Sequence, residues 1–327
     1  MKFFTVGSND AGQRLDKFIS KAVPLLPKSL LYKKIRTKDI KLNGKRTDIA
    51  ERVKEGDTVS IYANDEFFVK VTPQYDFLKA GASINIVYED ENILLCDKPQ
   101  GLIVHPDENE YIDTLIGRIK RYLYEKGEYD PEKENSFAPA LANRIDRNTG
   151  GIVIAAKNAE ALRILCDKIK SREIDKEYLA VVHGKPPKKE DVIEAFLEKN
   201  ENKNKVYLSV KSNGSNVPIR TKYRVLDTKD DLSLLEILLL TGRTHQIRAH
   251  MAWLGLPLLG DGKYGNIAKD KKMGFNKQAL YSFRLTFLFV SDGGILNYLN
   301  GKTFTVDSVW FADKLFGEDY KKKISKK

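Results

Sequence analysis

Apolar residues fall on one helical face in "QRLDKFISKAV", where Leu15, Phe18, Ile19 and Val23 keep a 3.6-residue period against a charged opposite face. The same period in "LPKSLLYKKIRTKDIKLNGKR" predicts a second helix from near Ser29, with Leu31 and Ile35 inward and Lys33, Lys34 and Arg36 outward. The period then drops to two. "DIKLNGKR" reads as a hairpin turning at Asn43-Gly44, and "GDTVSIY" as a returning strand. Residues 1–64 are therefore expected to form a small helix-helix-hairpin unit, followed by a linker over residues 65–83.

From Ile84 onward the pattern is one of short apolar runs between turn signals. Candidate strands are Ile84 to Tyr88, Ile93 to Cys96, Ile152 to Ala156, Tyr178 to His183, Tyr223 to Leu226, Leu232 to Leu240 and Phe283 to Val290. Helices are expected at Tyr111 to Glu125, Ala159 to Ser171 and Thr244 to Leu254. For the last, Thr244 is a plausible N-cap, Ile247, Met251 and Leu254 make an apolar stripe, and Gly255 with Pro257 ends it. Strands outnumber helices without βαβ alternation, which predicts an α+β domain over residues 84–316 with a mostly antiparallel or mixed sheet. "YEKGEYDPEKENSFAP" and "EKNENKNK" read as exposed loops, and residues 317–327 as a basic tail that is disordered rather than specific.

Composition narrows the class. With 42% hydrophobic residues in 327, the chain can bury a proper core. No apolar run is long enough for a membrane span, and "MKFFTVGSND" lacks the apolar stretch of a secretory signal, so a cytoplasmic location is expected. Cys96 and Cys166 are far apart and read as buried thiols. The net charge is +11, and residues 1–50 hold 12 Lys and Arg against 4 Asp and Glu, a surplus of 8 in a sixth of the chain. Such concentration points to a polyanionic partner. No heptad pattern is present, and a monomer is expected.

Two segments stand out chemically. In "ALANRIDRNTGGIVIAAK", Asp146 lies between Arg144 and Arg147 and precedes a glycine-rich turn. A carboxylate beside guanidinium groups keeps its charge and can serve as nucleophile or base, though the same spacing also makes an ordinary salt bridge. In "LLLTGRTHQIRAHM", Arg243, His245 and Arg248 gather at a helix start, suited either to an anion or to a solvated first turn. His105 and His183 each end an apolar run and read as structural imidazoles. Without HExxH, an acidic cluster, a P-loop or GxGxxG, neither a metal nor a nucleotide or dinucleotide cofactor is expected.

Residue chemistry alone thus reaches a basic, nucleic-acid-binding enzyme with an acidic reacting group, a base-excising glycosidase being one such enzyme. A further set of motifs goes further. "DKPQGLIVHP", "NRIDRNTGGIVIAAK", "TGRTHQIRAHM", "LLGDGKYG" and "QALYSFRLTF", in this order, resemble the motifs of the RluA family of RNA pseudouridine synthases over residues 84–313. The amino-terminal unit is similar to the alpha-L RNA-binding domain. The resemblance implies a cofactor-free isomerase of uridine in RNA, most of all large-subunit ribosomal RNA or its assembly intermediates, with the pseudouridine synthase fold. An assembly protein that keeps the fold without catalysis is the other possibility. The resemblance implies that Asp146 is the catalytic residue, Tyr178 the residue that stacks on the base, and Arg248 the partner of Asp146, with Arg243 a second candidate. It also assigns Leu280 as an apolar neighbour of Asp146, and Arg144 to the substrate side. Lys28, Lys33, Lys34, Arg36 and Lys38 would contact phosphates. Asn143 stands where the family usually has histidine, Ile145 where it has leucine, and Gly150 where serine is common.

Overall fold

Asn43 and Gly44 both take left-handed backbone, φ 51° and 73°, the geometry of a two-residue hairpin turn whose twist matches its strands. That turn joins β2 (Ile40–Leu42) to β3 (Lys45–Arg46). With β1 (Lys2–Thr5) and β4 (Thr58–Ile61) they form a four-stranded sheet in the order β1-β4-β2-β3. Helices α1 (Leu15–Ala22) and α2 (Lys28–Arg36) cover it, and Leu15, Phe18, Ile19, Val23, Leu31 and Ile35 join Ile40, Val59 and Ile61 in one core, as their spacing predicts. Strand β1 was not expected. Its four residues leave no side chain buried, so they carry no period.

The structure, a computed structural model, describes residues 1–69, 75–200 and 205–324. Parts of the expected linker (70–74), of the loop "EKNENKNK" (201–204) and of the tail (325–327) lie outside the described residues. Among the described residues no helix is long and apolar enough to cross a membrane.

The second sheet has eleven strands. In chain order they are β5 (Ile86–Glu89), β6 (Ile93–Lys98), β7 (Ala140–Leu141), β8 (Gly150–Ala156), β9 (Ile174–His183), β10 (Glu190–Asn200), β11 (Lys205–Ser209), β12 (Val217–Lys229), β13 (Leu232–Leu239), β14 (Leu280–Phe287) and β15 (Thr303–Thr305). Their spatial order is β11-β10-β12-β13-β9-β14-β8-β6-β5, with β7 on β8 and β15 on β14. All neighbours are antiparallel except β14 and β8, which makes the sheet mixed, as expected. Helices α3 (Leu115–Glu125), α4 (Ala159–Lys170), α5 (Gln246–Trp253), α6 (Ile267–Lys272) and α7 (Trp310–Phe316) complete the α+β arrangement. Apolar residues pack both faces: Tyr178, Ala180, Leu235, Ile237 and Leu280 share one cluster with α3 and α5, while Leu179, Val181, Tyr281 and Phe283 share another with α7.

The parallel contact between β8 and β14 is tight. Gly151 sits at φ 110°, and a Cβ there would lie 2.2 Å from the backbone oxygen of Ser282; one on Gly150 would lie 2.3 Å from the Tyr281 ring. Two glycines are thus needed where β8 begins, which accounts for Gly150 in place of a serine. The expected glycine turn is shorter than "NTGG": Thr149 N donates to Asp146 O at 3.0 Å, and the glycines already belong to the strand.

Several sequence expectations are corrected. "EKNENKNK" is not simply a loop, because β10 runs to Asn200 and β11 starts at Lys205, the charged ends masking the alternation of Ile193, Ala195 and Leu197. "YEKGEYDPEKENSFAP" is not wholly exposed: Tyr129 and Phe137 are buried, and Asn135 and Ser136 donate to the buried Asp10 carboxylate at 2.8 and 2.5 Å. The described part of the tail packs against the domain, with Tyr320 buried and donating to Asp313 at 2.8 Å, and Lys323 paired with Asp227 at 2.7 Å. Cys96 is buried but Cys166 is exposed, on the outer face of α4. His183 is structural, bonded to Asp270 at 2.8 Å, whereas His105 is exposed.

Candidate active site

Asp146 precedes β8 and reaches into a cavity of about 310 Å³. Neither flanking arginine pairs with it. Arg147 turns to Asp107, 3.5 Å away, and Arg144 lines the cavity without an ion pair among the described residues. The partner comes instead from α5: Arg248 Nη1 donates to Asp146 Oδ2 at 2.9 Å.

Arg248 is itself held from behind. Its Nε and Nη2 donate to the two oxygens of Asp261, each at 2.8 Å, a bidentate pair in which Asp261 is fully buried. Burial alone would raise the Asp261 carboxyl; the hydrogen bonds and charge of Arg248 outweigh it and hold Asp261 below the usual carboxylate range. The backbone N–H groups of Lys263 and Tyr264 also donate to Asp261, at 2.9 and 3.1 Å. Asp261 lies in "LLGDGKYG", and its role was missed in the sequence. The available signal was a lone carboxylate ending an apolar run, where an unpaired charge is not tolerated.

The start of α5 differs from expectation. Thr244 does not cap it; the first helical residue follows His245, which takes a left-handed φ of 55°. The loop is held by the buried Gln246, whose Oε1 accepts from Thr241 Oγ1 at 2.9 Å and from Arg243 N at 3.1 Å. Ile247 and Met251 are buried as the stripe predicts, but Leu254 is exposed at the helix end. The left-handed residue turns the His245 ring inward, Nε2 3.8 Å from Asp146 Oδ2 and Nδ1 3.1 Å from the Tyr264 hydroxyl. Burial pushes this imidazole down to about 4, Asp146 pulling the other way less strongly, so it is uncharged at neutral pH.

Alternation along β9 puts Lys176 and Tyr178 on one face, and both line the cavity with Leu280 from β14. Burial, with a smaller contribution from the Asp146 charge, pushes the Tyr178 phenol up to about 12. Burial and then Arg172 push the Lys176 ammonium down to about 8. Asn143 accepts from Ile154 N at 2.8 Å through Oδ1, while its buried Nδ2 has no partner among the described residues.

The cavity therefore brings together Asp146, Tyr178, Arg248, Arg243, Arg144 and Leu280, and adds Lys176, His245 and Asn143. Arg144, Lys176 and Arg243 line it with no ion pair among the described residues, while Arg248 is committed to two carboxylates. Such a site offers one charged carboxylate, an aromatic and aliphatic wall, and three cations able to hold phosphodiesters. Lys28, Lys33, Arg36 and Lys38 are exposed on α2 and just beyond it; Lys34 is instead half-buried and paired with Asp39 at 3.6 Å.

The fold is that of pseudouridylate synthases: Human RNA Pseudouridylate Synthase Domain Containing 4 superposes with a TM-score of 0.54 at 19% identity, over 71% of this chain and 91% of that one. A family model described as RNA pseudouridylate synthase matches residues 92–253. The chain is 31% identical to an uncharacterized RNA pseudouridine synthase of Mycoplasma capricolum, over 95% of this chain and 99% of that protein. It is 32% identical to the ribosomal large subunit pseudouridine synthase C of Rickettsia bellii, over 81% of this chain and 85% of that one. The chain belongs to the RNA pseudouridine synthase family, enzymes that isomerise uridine to pseudouridine in RNA.

Proposed function

We propose that Asp146 is the reacting group of this synthase, that it acts on a uridine flipped into the cavity, and that the substrate is large-subunit ribosomal RNA or its assembly intermediates. The observation that carries the reading is the Asp261–Arg248–Asp146 chain of charges opening onto a cavity where Arg144, Lys176 and Arg243 have no ion pair among the described residues. In the reaction the N1 to C1' bond breaks, the uracil turns while bound, C5 joins the same C1', and the proton lost from C5 is balanced by one gained at N1. No electrons and no phosphoryl group change hands.

A uridine inside a helix is out of reach of Asp146, so the nucleotide must leave its stack at a cost of a few kcal/mol. Tyr178 stacks on the extruded uracil, a contact worth about 1 to 3 kcal/mol, and does so as an uncharged phenol. Leu280 packs beside it, and Arg144, Lys176 and Arg243 take the flanking phosphates. Arg248 orients the carboxylate while Asp261 fixes Arg248. Residues 1–64 act as the RNA-binding domain, with Lys28, Lys33, Arg36 and Lys38 on phosphates; residues 84–316 form the catalytic domain. The protein works as a cytoplasmic monomer. Support for the substrate comes from relatives named as ribosomal large subunit pseudouridine synthases C and D.

The test is tritium release from RNA labelled at uracil C5, in cells lacking their own large-subunit synthases, with the wild type and Asp146→Asn. Release that vanishes in the variant, without free uracil, is expected. Free uracil would show a glycosidase instead, and tight RNA binding without release an assembly protein.

A further inference from the structure

Both Arg248 and His245 approach the same oxygen of Asp146, Oδ2, at 2.9 and 3.8 Å. Oδ1 has no hydrogen-bond partner among the described residues. The His245 ring is side-chain buried to within 9% of full enclosure, and its position depends on a left-handed backbone that histidine, asparagine and aspartate adopt more readily than most residues.

The tautomer of this ring follows from the hydrogen bonds behind it. Val206 N–H, on β11, donates to the Tyr264 hydroxyl oxygen at 3.0 Å. The phenol keeps one proton to give, and the acceptor within reach is His245 Nδ1 at 3.1 Å. An Nδ1 that accepts leaves the ring proton on Nε2, the nitrogen facing Asp146. The Tyr264 ring is fixed in turn by the Arg248 guanidinium, 5.3 Å from its centroid. Hydrogen bonds therefore run from the β11 backbone through Tyr264 to His245, and Nε2 faces the carboxylate across 3.8 Å, longer than a hydrogen bond and of the kind that tightens only when substrate fills the site.

We propose that His245 is a positioning residue for Asp146: as an Nε2–H tautomer set by Tyr264, it closes on Oδ2 beside Arg248 when substrate is bound and leaves Oδ1 as the oxygen presented to the substrate. The inference rests on the reading of Asp146 as the reacting group. It adds two side chains, His245 on the wall of the cavity and Tyr264 behind it, that the reaction uses to aim the carboxylate.

Two substitutions separate this role from a purely structural one. In His245→Gln the amide nitrogen reaches the place of Nε2 but the left-handed backbone is disfavoured; in His245→Asn the backbone is well suited but the donor is too short. Positioning predicts that Gln keeps kcat within about threefold of wild type while Asn loses about tenfold, the rate equivalent of one hydrogen bond. A structural role predicts the reverse order, and equal activities would also overturn the proposal. Tyr264→Phe is expected to lower kcat about tenfold with KM within about twofold.

The tautomer is read without substrate, by nitrogen-proton correlation of the full chain labelled at histidine, with His245→Gln assigning the signal. An Nε2–H pattern from about pH 5 to 8 that becomes mixed in Tyr264→Phe is expected. An Nδ1–H ring, or one unaltered by Tyr264→Phe, overturns the proposal even if pseudouridine forms normally. A wild-type protein that forms no pseudouridine yet shows the Nε2–H ring instead removes the reading of Asp146.

Discussion

At Arg248 a single guanidinium separates two carboxylates, and the two have different standing. Removing it in Arg248→Met leaves Asp261 charged and fully buried, which should cost about 3–5 kcal/mol in chemical denaturation as well as abolishing activity. Asp146→Asn should change stability by less than about 1 kcal/mol, since Arg248 keeps Asp261 and the Asp146 side chain is 26% exposed, while pseudouridine formation stops. The pair of measurements separates the half of the charge chain that holds the fold from the half proposed to react. Lys176 gives a pH signature. It is charged below about 8 and neutral above, so its hold on a phosphate weakens as pH rises through that value. KM for RNA is expected to rise above about pH 8, and Lys176→Gln to have a higher but flat KM. Asp146, Arg248, Tyr178 and Leu280 were legible as candidates because the family resemblance assigns each a role. Asp261 and Tyr264 were not, because their meaning lies in contacts with residues distant in sequence. Lys176 was within reach of the period-two rule, two positions before Tyr178 on the same strand, and its charged neighbours Asp175 and Glu177 hid it.

Elements were legible where one face is buried and the other wet. Helices α1 and α2, the Asn43-Gly44 hairpin and strands β6, β8, β9 and β13 fall within a few residues of their expected positions. Strands β10 and β11 were lost because they lie at or next to a sheet edge, where charged side chains such as Glu198 and Lys199 interrupt the alternation that identifies a strand, and β1, another edge strand, because none of its side chains is buried. The β8–β14 contact is legible only as glycines, not as the close approach that requires them. Gly151→Ala should destabilise on the order of 3 kcal/mol, combining a disallowed φ with a backbone clash. Gly214, at φ 84° with nothing within 4 Å, is the control, and its alanine variant should cost about 1–2 kcal/mol, from backbone conformation alone. Equal losses in urea unfolding would mean that β8 and β14 can part without penalty.

Across the whole molecule, charge is distributed by task. The cavity cations are few and set around one carboxylate, whereas those on α2 are exposed and spread along a helix. Replacing Lys28, Lys33, Arg36 and Lys38 together by glutamine in the full chain should reduce the salt dependence of RNA binding by about 3 in the slope of log affinity against log salt. The rate at saturating RNA should stay as it was. An unchanged slope would remove α2 from the RNA path. Net charge and its concentration in residues 1–50 were plain in the sequence, and they are the part of the picture that needs no folding to be read.

The glycine at 151 also has a consequence for descent. Every single-nucleotide change to a glycine codon that alters the residue installs a Cβ or ends the chain. A Cβ at this position meets the backbone of Ser282, not a side chain that could move aside. No one-step neighbour in the genetic code is therefore neutral here, and a lineage that alters this joint must first move β14. Drift can rework the rim of the cavity residue by residue, but the spacing between β8, which follows Asp146, and β14, which carries Leu280, is inherited as a block.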